Sequence, residues 1–268
     1  GYSLEFTDTN PTLQDFGGIL QGTTFSNVPL VEIIRQMLYP YLPPQVSILV
    51  SNSVLERNHI SDTSSDFTYT LVKRSNNISS TQVKIITNVG ALTNYSGNTL
   101  SGSGYISQSF SDVFTFSSSD VQGNVSGSFT FSITANDGTQ SLTATSSLEF
   151  VYPYFFGFYP TNPTFSNTVM NSVVSYLNSN NGKIVESYGS QSIDLSGYGY
   201  LCFFYPYDYG TLSSIYDGNG FKQWQFGSAS SSWTYSNSPI TIYSPDSLWG
   251  GTSYRVFTTT NQVSVPLP

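Results

Sequence analysis

The stretch "SFTFSITANDGTQSLTATSSLEF", Ser128 to Phe150, decides the fold. Apolar residues alternate with Ser and Thr on both sides of Asn136-Asp137-Gly138. A period of two marks a strand with one buried face, and Asn, Asp and Gly supply the positive-φ positions of a tight turn. The stretch therefore reads as a β-hairpin. The same alternation runs upstream through "VSILV" from Val46, "DFTYTLV" from Asp66, "QVKIITNV" from Gln82 and "DVFTFS" from Asp112, with Gly, Asn, Asp and Ser clustered between them. About seven short strands over roughly a hundred residues is the immunoglobulin-like pattern, so residues 45–152 are expected to form an Ig-like β-sandwich.

The segment ahead of the sandwich breaks this pattern. In "FGGILQGTTFSNVPLVEIIRQMLYPYLPP", Phe16 to Pro44, Leu30, Ile33, Ile34, Met37 and Leu38 recur at helical spacing, with Glu32, Arg35 and Gln36 on the other side. Pro29 is expected in the first helical turn, where its missing N–H costs nothing. Pro40 forces an end by Tyr39. So short a helix is marginal alone in water, so its stripe must be covered by its own chain or by a neighbouring subunit. Residues 1–44 are thus expected to be an arm plus a helical docking collar, with Leu30, Ile33, Ile34, Met37 and Leu38 as the assembly residues.

Residues 153–268 predict a second β domain with one helix. In "FSNTVMNSVVSYLNSNNGK", Ser166 suits an N-cap, Val169, Met170, Val173, Val174 and Leu177 form a stripe, and Gly182 suits a C-terminal cap. Strands are expected at "YGYLCFFYP", "WTYS", "ITIYS" and "SYRVFTTT". The whole chain is therefore mainly β.

Composition narrows the function. The 268 residues include 20 Tyr and 19 Phe but only 9% charged residues, so Ser, Thr, Asn and Gly must keep the surface wet, an extracellular or virion style. The formal net charge of −8 argues against nucleic acid as a partner. The apolar run "FVYPYFFGFYP" is too short, and too broken by Pro153, Gly157 and Pro160, for membrane insertion. The sequence opens at Gly1 without a methionine or a leader-like segment, so targeting stays unread. Sequons stand at Asn77, Asn94 and Asn124, at the frequency expected of an Asn- and Ser-rich chain.

Catalytic constellations are scarce. One histidine, His59, lies in the polar "LERNHISDT", and reads as a solvated loop residue rather than a general base. One cysteine, Cys202, reads as a small buried hydrophobe, and the pair excludes zinc spacings. "YDGNGF" at Tyr216 opens like a calcium loop, but a serine, Ser228, stands where the ligating glutamate belongs, which favours a turn. Asp194, Asp208, Asp217 and Glu186 are the only carboxylates that suggest a glycosidase pair, and acids at turns and strand ends are ordinarily solubilising. A non-enzymatic protein without cofactor or metal is expected. Trp224, Trp233 and Trp249 carry two readings: packing, which a small β domain without disulfides needs, or contact with a ligand or receptor.

Three motifs together resemble a family. "FGGILQGTTF" followed by "LVEIIRQMLYPYLPP" is similar to a glycine-rich element and Tyr-Pro-Tyr helix near the start of structural proteins of tailed bacteriophages. "FVYPYFFGF" looks like the junction between Ig-like and C-terminal modules there, and "YGYLCFFYPYDYGTLSSIYDGNGF" with "YRVFTTTNQVSV" is similar to the C-terminal signature. The resemblance spans Phe16 to Val265. It implies a virion component of a fibre, tail or head appendage, homo-oligomeric, bound to other virion proteins through the collar and in contact with a host-surface glycan or protein. The alternative from another class is a cell-surface adhesin or carbohydrate-binding module.

Overall fold

The computed structural model describes residues 4–14, 16–57, 59, 64–87, 90–116, 128–225, 232–246 and 250–265. At the N-terminus, β1 (Glu5–Asp8) pairs antiparallel with β2 (Phe25–Pro29), and α1 (Leu30–Leu38) follows without a break. Pro29 is the N-cap, not a member of the first turn: its pairing with Glu5 keeps its ψ extended at 131°. Tyr39 ends α1 ahead of Pro40, as the sequence requires.

The loop between β1 and β2 explains its own glycines. Gly18 N–H donates to Gln36 O at 2.9 Å, satisfying one of the carbonyls that a helix end leaves open. A Cβ on Gly17, at φ +59°, would stand 2.4 Å from Met37 O, and one on Gly18 2.6 Å from Gln36 O. The loop backbone thus lies directly on the last turn of α1, a fit that no side chain permits.

Among the described residues the sandwich has eight strands: β3 (Gln45–Val50), β4 (Val54–Glu56), β5 (Ser64–Lys73), β6 (Ser80–Thr87), β7 (Gly90–Ser96), β8 (Ile106–Thr115), β9 (Ser128–Asn136) and β10 (Ser141–Val151). One sheet has the order β3-β5-β8 and the other β4-β10-β9-β6-β7. β9 and β10 form the expected hairpin, with Asn136 opposite Ser141; of the three turn residues only Gly138, at φ +87°, takes a positive φ, while Asn136 and Asp137 do not.

Alternation sends Phe67, Tyr69 and Leu71 of β5 inward against Val83, Ile85, Phe129, Phe131, Ile133 and Leu148 of the facing sheet. The Phe67 and Phe131 rings meet across the layer at 5.3 Å. The outward positions carry hydroxyl pairs, Thr68–Ser111, Thr70–Ser109 and Thr134–Thr143, which wet the surface without charge.

The third module is built on a sheet with the path β12-β11-β13-β18-β16, from β11 (Tyr154–Tyr159), β12 (Lys183–Ile184), β13 (Gly197–Pro206), β16 (Trp233–Tyr235) and β18 (Thr252–Thr259). The strands β17 (Ile240–Ile242) and β19 (Val263–Val265) pair with β18 and β13. A hairpin of β14 (Ser214–Tyr216) and β15 (Lys222–Gln225) folds separately.

One sheet face packs on α2 (Asn167–Ser179), whose Met170, Val173, Val174 and Leu177 meet Phe155, Cys202, Phe204, Tyr254 and Val256. Ser166 accepts from Val169 N–H as the expected N-cap. The helix closes on Asn181 at φ +59°, not on Gly182: Asn181 and Gly182 donate to Asn178 O and Leu177 O in a Schellman motif. Gly182 is needed because a Cβ there would lie 2.0 Å from Phe156 O. The other face is aromatic: Tyr154, Phe203, Tyr205 and Phe257, with Trp224 and Trp233 folded over it.

Candidate functional site

The collar divides the predicted apolar stripe in two. Ile33 is buried at 7% exposure, and Leu30 and Met37 are half-buried. Ile34 and Leu38 are exposed at 45% and 65%, and Val31, at 64%, joins them at i, i+3 and i+7 as a ridge along the outer side of α1. Tyr39 and Leu42 extend the ridge, and Leu4, Phe6, Leu13, Phe16 and Leu20 add further exposed apolar side chains on the same unit. Exposed apolar patches on a folded protein ordinarily mark contact surfaces.

The collar is fixed to the sandwich and does not dangle from it. Leu42 N–H donates to Ser75 Oγ at 2.8 Å, and the Tyr41 hydroxyl donates to Asp137 Oδ2 at 2.7 Å, in the β9–β10 turn. Burial, then the hydrogen bond and charge of Asp137, push the Tyr41 hydroxyl up to about 12. Burial opposes ionisation of Asp137, but hydrogen bonds from Gln140, Tyr41 and Thr139 outweigh it and hold the carboxyl below its usual range. Tyr41→Phe is expected to cost about 1 kcal/mol, seen as a lower denaturation midpoint and faster hydrogen exchange in α1 but not in α2.

A second cluster lies where the sandwich meets the third module. Glu56 ends β4 opposite Val151, the last residue of β10, and is 1% exposed. Its Oε2 accepts from Lys183 Nζ at 3.0 Å and its Oε1 from Ser244 Oγ at 3.1 Å. Lys183 also reaches Asp246 Oδ2 at 3.2 Å, and Asn178 donates to that same oxygen at 2.7 Å. His59 is not a solvated loop residue: its Nε2 stands 3.9 Å from Glu56 Oε2, drawn in by the buried carboxylate. Tyr254 donates to Pro153 O, Ser187 to Glu149, and Arg57 lies over Tyr152, so the junction is tied by polar contacts on several sides. This arrangement is a clasp.

The remaining candidates fall into structural places. Trp224 is buried against Phe257 at 4.9 Å between ring centres, which leaves it without a surface to offer a receptor. Trp233 is 9% exposed and borders a groove described below. Trp249 and the sequon Asn124 lie outside the described residues. Asp217 accepts from the backbone of Asn219 and Phe221 and from Gln223, so it holds the β14–β15 turn. Asp208 sits in a short 3-10 turn at Tyr207–Tyr209. Burial pushes the Cys202 thiol up to about 12, the state of an inert packed side chain. Among the described residues no group of three or more His, Cys, Asp or Glu is placed to hold a metal ion, and no helix is long and apolar enough to cross a membrane.

No family model matches the chain. No curated protein matches it. Among solved structures, the CARDB domain of a protein from Pyrococcus furiosus, solved in complex with di-metal ions, is similar at 14% identity and a TM-score of 0.27, over 41% of this chain and 94% of that one. At that score the likeness carries no argument about function.

Proposed function

We propose that this chain is a non-enzymatic structural subunit of a particle, a virion component of tailed-bacteriophage type, which assembles with further copies and with other virion proteins through its N-terminal collar. The single observation that carries the reading is the ridge Val31–Ile34–Leu38, an exposed apolar strip on a unit held firmly to the sandwich. A docking surface of this kind suits assembly: its apolar side chains supply affinity, and its rigid mount fixes the angle between neighbours. The motifs from Phe16 to Val265 support the phage assignment, and the sparsely charged, hydroxyl-covered sandwich supports a part that serves as a spacer.

The mass of the purified chain in solution tests the reading. Light scattering at tens of micromolar is expected to give a closed oligomer; persistence of the 29.4 kDa monomer counts against homo-assembly. Antibodies against the sandwich are expected to decorate purified virions from the source culture at one regular position. Unlabelled particles in a preparation that contains the protein reject the virion assignment.

A further inference from the structure

The aromatic face of the third module is only partly covered. An open groove of about 670 Å³ runs along it, with Tyr154, Phe203 and Tyr205 as floor, residues 188–195 as one wall and residues 211–218 as the other. Both walls are pinned to the floor by tyrosine hydroxyls. Tyr154 Oη donates to Ser187 O at 3.4 Å, and Tyr205 Oη accepts from Leu212 N–H at 3.0 Å. The groove is therefore formed before any ligand arrives, which lowers the ordering cost of binding.

Its chemistry is specific. Tyr188, 70% exposed, leans on Tyr209 at 5.3 Å between ring centres and presents its outer face at the rim. Tyr216, 55% exposed, stands on the opposite wall. Between them the lining offers hydroxyls, the Gln191 amide and the Asp194 carboxylate, and among the described residues it contains no Lys, Arg or His. Lys222 Nζ stands 5.7 Å from the centre of the Tyr216 ring, a cation at the wall that also carries Asp217. The fit is to a ligand with flat apolar faces and many neutral hydroxyls.

The geometry points to this groove as a binding site for a neutral oligosaccharide, with Tyr188 stacking on a sugar ring and Asp194 accepting hydroxyl hydrogen bonds. The site is independent of the collar, so a chain whose ridge has been disabled keeps it.

Calorimetric titration of the full chain with maltohexaose, cellohexaose, N-acetylchitohexaose and, as the acidic comparison, oligogalacturonate tests the site. Saturable binding to at least one neutral hexaose is expected, weakened about tenfold or more by Tyr188→Ala and by Asp194→Asn. Tyr198→Ala, exposed but outside the groove, is expected to stay within about twofold of the parent. All three side chains are exposed, and unchanged circular dichroism confirms that the variants fold. No saturable binding to any neutral hexaose at millimolar concentration overturns the proposal. So does equal or tighter binding of oligogalacturonate, or neutral-sugar binding that Tyr188→Ala and Asp194→Asn leave unmoved.

Discussion

Ile34→Asp combined with Leu38→Asp is expected to produce a folded monomer that no longer assembles, with the assembly constant weakened by roughly a thousandfold or more. The two side chains lie on the exposed half of α1, so in the monomer their replacement places carboxylates in water at little cost. In an oligomer each copy would bring both carboxylates into an apolar interface, and a desolvated, unpaired carboxylate costs several kcal/mol. Closed symmetry repeats that cost at every contact.

Ile33→Asp supplies the contrast. That residue is buried beneath the helix, and its replacement is expected to unravel the collar itself, visible as lost protection of α1 in hydrogen exchange. An Ile34→Asp/Leu38→Asp chain that still reaches the parent's solution mass, with α1 protected as before, would show that copies do not meet through this ridge.

The stripe illustrates what a sequence can and cannot disclose. Its helical period is local and was legible. Which half is covered depends on where Gly17 and Gly18 lay their backbone, a contact made from a distant loop. Val31 escaped notice for the same reason: it belongs to the stripe only once Ile33 is known to face inward.

The long alternating strands were equally plain, whereas β4 and β7 were not, being short or lacking the alternation. The aromatic run "YFFGFY" hid β11, because both faces of that strand are covered and burial erases the period of two. Trp224 and Trp233 follow the packing reading: their bulk fills the space above the sheet, and the exposed rings at the groove's rim include tyrosines, whose hydroxyl tolerates water. The clasp had no local signature at all, since Glu56 and Lys183 are 127 residues apart.

That clasp yields the largest stability effect. Lys183→Met is expected to destabilise the protein by about 3 kcal/mol, the low end for a broken buried pair, because the lysine side chain keeps 17% exposure. The substitution leaves the Glu56 carboxylate, 1% exposed, without the Lys183 cation, while Ser244 still donates to it. Pairing Lys183→Met with Glu56→Leu removes both charges and is expected to recover most of the loss, since a buried pair replaced by apolar groups of similar volume is often neutral.

The pH dependence has a definite sign on each side. Burial alone would lower the Lys183 pKa, but the hydrogen bond and charge of Glu56, with Asp246 adding, raise it above the ordinary 10.5. Its contribution is complete below 10.5 and fades as pH rises through the folded-state value. Asn178, then Lys183, hold Asp246 below the ordinary 3.8 against burial, so its contribution is present above 3.8 and fades as pH falls through the lower folded-state value. The clasp is thus closed across the whole neutral range, as a rigid link between modules requires. Denaturant titration of parent, single and double variants at pH 7 checks the energetics; a Lys183→Met chain as stable as the parent would mean that the junction is held by its packing and backbone ties, and that the ion pair contributes nothing to its stability.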